Sequence, residues 1–394
     1  MHRRDDDRVP GLVLGAVMAR QQQVVCSGGP HGMSASPPIR HIPSGWRRLP
    51  TLLWGLLAMW LGWQVFEWAI WHAVFAPDLT ACQALQHRGA CWGVVAEKGP
   101  QWLWGRYPLE QRWRPALALL AWGTASVGLA SLAWRRPAPG RPAHLALAVC
   151  AALILWSVAF VLMRGGWSAQ PWGLPGAPRV PADQWGGLPL TLLVATVTLL
   201  ASVPLAALWA WGRQRGPRLW RWVCTLCIET LRGAPLVMWL FMAAFMLPAV
   251  WGPEVDVGLL PRVLMVTVPF SAAYMAEIFR GALAVVQPAE EEAALTLGAR
   301  TWQVQWRVVV PQAWQVALPS LTGHAIGVLK DTALISVVGL HELNGSMGLS
   351  LNGDADWRPF FLEAYLVIGA VYVALGLSLS ALGRQLERRL PSGL

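Results

Sequence analysis

The sequence predicts an all-α polytopic membrane protein of about eight transmembrane helices, and three observations carry that expectation. The composition is 55% hydrophobic and only 13% charged, with mean hydropathy +0.43, against roughly a quarter charged in soluble chains. Apolar runs of about 20 residues recur along the chain. Arginines punctuate those runs instead of gathering on one polar face. The net charge of +10 therefore reads as membrane topology and not as a nucleic-acid surface. The 26 tryptophans suit the headgroup level of a bilayer, and a GC-rich coding bias accounts for the same excess.

Taken in order, the spans are expected near residues 51–74, 115–134, 143–163, 188–211, 233–250, 259–279, 317–340 and 360–382. An even number puts both termini on one side, and the positive-inside rule chooses the cytoplasm. Arg47 and Arg48 precede the first span, and Arg135, Arg136 and Arg141 fill the next loop on that side. Arg213, Arg215, Arg218 and Arg221 fill the third, and Arg384, Arg388 and Arg389 end the chain. Residues 1–50 read as a disordered cytoplasmic tail without a secretory leader; the alternative is translation from Met33.

A Pro/Gly-rich connector near residue 180 divides an accessory three-span region, 51–180, from a five-span region, 181–390. The accessory part carries a long external loop, 77–114, in which Cys82 and Cys91 are close enough in sequence for an oxidising compartment to join them. Closing so short a loop contributes about 2–3 kcal/mol in the chain-entropy model; two unpaired thiols are the alternative. Cys224 and Cys227 form a lone C-x-x-C. Without a second pair or histidines they read as small helix fillers, so no metal site is expected.

Between the sixth and seventh spans the chain interrupts itself with "EEEAALTLGARTWQVQWRVVVPQ". Glu290, Glu291 and Glu292 suit a helix N-terminus, where negative charge is favoured. Ala293 and Ala294 leave one turn bare for another surface to approach. Gly298 offers a break at positive φ, and a second short helix is expected to run until Pro311 stops it. Such a polar hairpin either docks into a groove on a partner or lies at the membrane interface.

Glu292-Ala293-Ala294, then Gly298, then Val308-Val309-Val310-Pro311 resembles the EAA loop of permease subunits of ABC importers. Val308 and Val310 stand where that family has Ile and Leu. "IETLRGAPLVMWLFMAAFMLP", "FSAAYMAEIFRGAL" and "VLKDTALISVVGL" are similar to spans flanking the loop in polar amino-acid permeases. "ACQALQHRGACW", "GRYPLEQRWRP" and "WGGLPLTL" resemble the branch serving broad-specificity L-amino-acid importers, so the likeness covers roughly 51–390. The chain departs from the family at Gln287-Pro288-Ala289-Glu290 and at Ala333. The resemblance implies a five-helix permease core behind a three-helix accessory bundle, in a bacterial inner membrane. It implies a coupling loop at 288–312 received by a separate ATPase that holds ATP and magnesium, with no cofactor in this chain. A second permease, identical or paralogous, and a periplasmic amino-acid-binding protein are the other implied partners, besides membrane lipid.

Lys330 and Asp331 fall within the seventh expected span, where each charge costs about 2.5–3.5 kcal/mol on insertion scales and marks a candidate site. With Thr332 they offer groups for both ends of a zwitterion; interhelical pairing or a gate is the competing role. Glu229 with Arg232 and Glu277 with Arg280 are i,i+3 pairs expected to position helix ends beside the hairpin. His324 reads as packing, and Glu67 as an external-interface residue. No G-x-x-x-x-G-K-[ST] phosphate loop occurs, so ATP hydrolysis would belong to another chain. An ion-coupled secondary transporter and a non-transporting scaffold or sensor subunit remain the rival readings.

Overall fold

A computed structural model describes residues 44–85, 88–134, 143–166, 177–252, 254, 255 and 257–388. Most of the expected tail, Met33, Arg135, Arg136, Arg141, Arg389 and part of the connector lie outside them. Among the described residues there is no β-strand, only isolated bridges joining Val74 to Cys91 and Gly187 to Glu342. The chain divides into two compact units between residues 65 and 66. The first contributes most of helix α1, Ser44–Phe66, whose large side chains such as Leu52, Trp54 and Met59 are exposed.

The second unit holds the remaining helices. Short α2, Leu79–Ala84, and α3, Gly93–Trp104, form the long loop. Helices α4, Trp113–Trp134, and α5, Ala143–Arg164, follow, then α6, Gly187–Arg215. Next come α7, Arg218–Gly233, α8, Leu236–Phe241, α9, Leu247–Trp251, and α10, Leu259–Val285. The hairpin comprises α11, Pro288–Thr296, and α12, Thr301–Val304. Helices α13, Val310–Asp331, α14, Leu343–Asn352, and α15, Phe361–Glu387, complete the chain. Among the described residues four helices are long and apolar enough to cross a membrane, five when the bent pair from Arg218 to Trp251 counts as one span. The three earlier expected segments are helical as well.

The expected span at 233–250 is the second limb of a bent helix pair. The chain turns by 102° between Gly233 and Leu236, because Ala234 and Pro235 take extended conformations and proline cannot continue the hydrogen-bond ladder. Trp239 Nε1 donates to the carbonyl of Leu231 at 3.2 Å, serving a helix end the break leaves open. Further on, a π-turn at Met242–Met246 frees carbonyls, and Arg262 reaches across from α10 to donate to Ala244 at 2.6 Å.

Helices α6 and α10 pack closely through Ala206, Ala210, Ala272, Ala273 and Ala276. Small side chains let backbones approach where lipid gives no hydrophobic drive between helices. Thr198 and Thr267 lie 3.1 Å apart across this seam, and Ser202 donates to the carbonyl of Val268 at 2.9 Å. The accessory helices are fastened to the same framework, Trp122 Nε1 of α4 donating to Thr196 Oγ1 of α6 at 2.7 Å.

The long loop is laid tightly on the later helices. Cys82 and Cys91 are joined by a disulfide, and the Cys91 N–H donates to the buried Glu363 carboxylate at 3.0 Å. Lys98 pairs with Asp354 at 2.6 Å, and Trp102 Nε1 donates to Ser350 Oγ at 2.7 Å. Gly105 has φ +60°, and a Cβ there would stand 2.4 Å from the Cα of Gly186, so only glycine permits this backbone crossing.

Candidate functional site

The hairpin at 288–312 lies at the Arg215 end of α6. Gln287 is extended and Pro288 opens α11, where a missing N–H costs nothing. Each first-turn acid is tethered: Glu290 accepts from Gln312 Nε2, and Glu291 from Gln305 Nε2 at 3.4 Å and from Arg215 at 3.4 Å. Glu292 is exposed, as is Ala293, whereas Ala294 packs inward against a cluster containing Ala282, Val286 and Val304. Only one of the two alanines therefore faces outward.

Helix α11 ends in a Schellman turn. Gly298 N–H donates to Leu295 O at 2.9 Å and Ala299 N–H to Ala294 O at 3.1 Å, with Gly298 at φ +86°. Leu297, just before it, is 88% exposed, an apolar side chain held out at the tip. The expected stop at Pro311 does not occur. A π-turn at Gln305–Val309 precedes it and Pro311 sits in the first turn of α13. There the ladder has already been widened, so the absent N–H and the ring are accommodated without ending the helix.

Behind the hairpin one of the two expected i,i+3 pairs forms, Glu277 with Arg280, and the other, Glu229 with Arg232, does not. Arg213 bonds Glu229 at 3.0 Å and Glu277 at 2.5 Å, and Glu277 also accepts from Arg280 at 2.9 Å. Arg232 instead lies 5.4 Å from the centroid of the Tyr274 ring, a cation–π distance. Arg213 thus joins α6, α7 and α10. Its replacement by alanine leaves Glu277 with Arg280 alone and takes the arginine from Glu229; a loss of about 1–3 kcal/mol in thermal unfolding in detergent is the expected outcome.

The intramembrane candidates separate. Lys330 is exposed, Asp331 half-buried, and Thr332 buried with its hydroxyl donating to Leu329 O at 2.7 Å. Successive helical residues diverge by about 100°, so the two charges leave the helix in different directions. Asp331 borders a cavity of about 20 Å³ with Thr198, Thr267 and Ser271, room on the scale of one water. His324 bonds Ser271 at 2.9 Å and stacks on Tyr274. Among the described residues no group of three or more His, Cys, Asp or Glu is placed to hold a metal.

The chain matches the family model described as binding-protein-dependent transport system inner membrane component over residues 202–391. It is 34% identical to the inner membrane amino-acid ABC transporter permease protein YhdY of Escherichia coli (strain K12), across 87% of each chain. The chain belongs to this family of ABC transporter permeases. It is also 31% identical to the glutamate/glutamine/aspartate/asparagine transport system permease protein BztC of Rhodobacter capsulatus, over 86% of this chain and 89% of that one. A crystal structure of an amino acid ABC transporter with histidines aligns with 52% of the chain and 92% of its own at 27% identity, TM-score 0.47.

One buried group in the permease escaped sequence reasoning. Glu342 is fully buried at the N-terminus of α14, where its carboxylate accepts from Asn344 and Gly345 N–H at 3.1 and 2.9 Å. Tyr372 donates to it at 2.7 Å and Thr191 at 3.2 Å. Burial pushes its carboxyl above the ordinary 4.5, against those four hydrogen bonds, which act downward. A lone acid after a glycine turn looks like a solvated loop residue, and only the fold shows the donors around it.

Proposed function

We infer that this chain is the permease subunit of an amino-acid importer, coupled through the 288–312 hairpin to an ATPase on another polypeptide that holds ATP and magnesium. The observation that carries this reading is the hairpin tip. Glu292, Ala293, Leu297 and Gly298 are exposed together on a turn fixed by two backbone hydrogen bonds, a preformed knob for a groove. A binding protein would deliver substrate, and a second permease, identical or paralogous, would complete the pathway beside Asp331 and Thr332. The glutamate/glutamine/aspartate/asparagine system to which BztC belongs supports polar amino acids as cargo.

Orientation follows from the ends of α6. The disulfide-bearing loop approaches its Gly187 end and the hairpin its Arg215 end, about 40 Å apart at 1.5 Å per residue. A disulfide persists in an oxidising compartment, which supports the loop outside and the hairpin in the cytoplasm; with an even number of spans both termini would share the hairpin's side.

The test is a mild-detergent pull-down of the tagged chain from native membranes, with mass spectrometry of its companions. An ATPase accompanies the parent, and its recovery drops about tenfold with Leu297→Asp, the scale of losing one interface hot spot. Equal recovery from both would remove the hairpin as its socket.

A further inference from the structure

On the face that carries the disulfide, a cavity of about 580 Å³ opens between the 98–112 segment and α14. That volume is within the usual range for small-ligand sites. Its charged lining is Lys98, Arg106, Arg112 and Asp354, three cations against one carboxylate. Lys98 and Asp354 already satisfy each other at 2.6 Å, and this contact holds the Asp354 carboxyl below its usual range. The two arginines are left over. Arg106 is exposed, and the buried Nε of Arg112 has no hydrogen-bond partner, a state that costs free energy unless something accepts from it.

The walls are built, not incidental. Trp102 and Lys98 bind one side to the other. The 105–112 path is pinned by the Gly105 crossing and by Tyr107, whose hydroxyl donates to Met163 O at 2.8 Å. Arg114 anchors the following turn on the carbonyls of Leu162 and Met163. Burial pushes the Tyr107 phenol up to about 12, with Arg114 pulling the other way, so it adds no negative charge to the cavity. Guanidinium groups recognise planar carboxylates through paired N–H donors, more strongly than neutral donors do.

We propose that this cavity is a carboxylate-binding site that takes dicarboxylic amino acids at the outer mouth of the permease. Arg106 and Arg112 receive the two carboxylates. The proposal rests on the importer reading for which side is outer, and it adds a site that shares no lining residue with the cavity beside Asp331.

The experiment uses the assembled transporter in nanodiscs, without binding protein, at low ionic strength. Radiolabelled glutamate is the probe, with glutamine and glutarate as competitors. Glutamate binds the parent, weakens about tenfold in Arg112→Gln and in Arg106→Gln, and is partly restored by Arg112→Lys. Glutarate competes and glutamine competes poorly; binding fades as salt rises. Melting temperatures of all variants report folding, and ATPase co-purification from the same membranes reports separately on the importer reading. Glutamate binding unchanged in both folded arginine variants overturns the proposal. So does absence of glutamate binding by the parent when acidic binding protein still associates through Arg106 and Arg112, since the carboxylates are then those of a docked protein.

Discussion

Gly298→Val uncouples the transporter: ATP-driven uptake in proteoliposomes falls below about a tenth of the parent, while the chain still inserts and melts normally. The reason is local. Gly298 sits at φ +86°, yet a Cβ built on it would meet nothing within 4 Å. Crowding is therefore not the issue; the backbone is. An L-residue in this left-handed region costs about 1–2 kcal/mol, and a β-branched one more. The helix end would relax, giving up the Ala299–Ala294 and Gly298–Leu295 bonds and swinging Leu297 off the tip. Gly298→Asn should retain most uptake, because asparagine tolerates the same conformation. Full uptake by the valine variant would show that the tip geometry is irrelevant to coupling.

Glu342→Leu destabilises the chain by about 2–4 kcal/mol in thermal or denaturant unfolding in detergent. The substitution removes an N-terminal cap and strands the Tyr372 hydroxyl, Thr191 and two backbone N–H groups in a site closed to water. Glu342→Gln recovers part of the loss, since its amide oxygen still accepts. The pH dependence has a definite sign. The folded carboxyl titrates above its ordinary 4.5, so the folded state holds the proton more tightly. This contribution is complete below the unfolded value and is lost as pH rises through the folded one. The glutamine variant should show a flatter decline of melting temperature as pH rises above the ordinary 4.5. An identical slope in both proteins would assign the titration elsewhere.

Much of this architecture was legible because apolar length is a sum, and sums survive ignorance of detail. The expected segments 115–134, 143–163 and 259–279 coincide closely with Trp113–Trp134, Ala143–Arg164 and Leu259–Val285. Direction is not a sum. The 102° turn at Gly233–Leu236 leaves the hydrophobicity of 233–250 unchanged, so one straight span and a broken one read alike. The positive φ at Gly298 was legible from glycine chemistry, but Pro311 was misjudged because the preceding π-turn is invisible to residue counting. Pairing rules along one helix found Glu277 with Arg280 and missed Arg213, whose partners lie on two other helices. Glu342 was missed for the same reason: burial belongs to the neighbours, not to the residue.

The passage of α12 through its π-turn into α13 has a mechanical consequence. From Thr301 to Asp331 the chain is one rod, about 45 Å long at the helical rise, with one end behind the exposed hairpin tip and the other beside Asp331. A rod of that kind stores little of a displacement applied at its foot. The π-turn at Gln305–Val309 is one joint in it, besides the interior Pro319, so part of a push on Leu297 would go into bending that first joint before it moves the far end. Stiffening that joint should lengthen the stroke delivered at Asp331, and softening it should waste it.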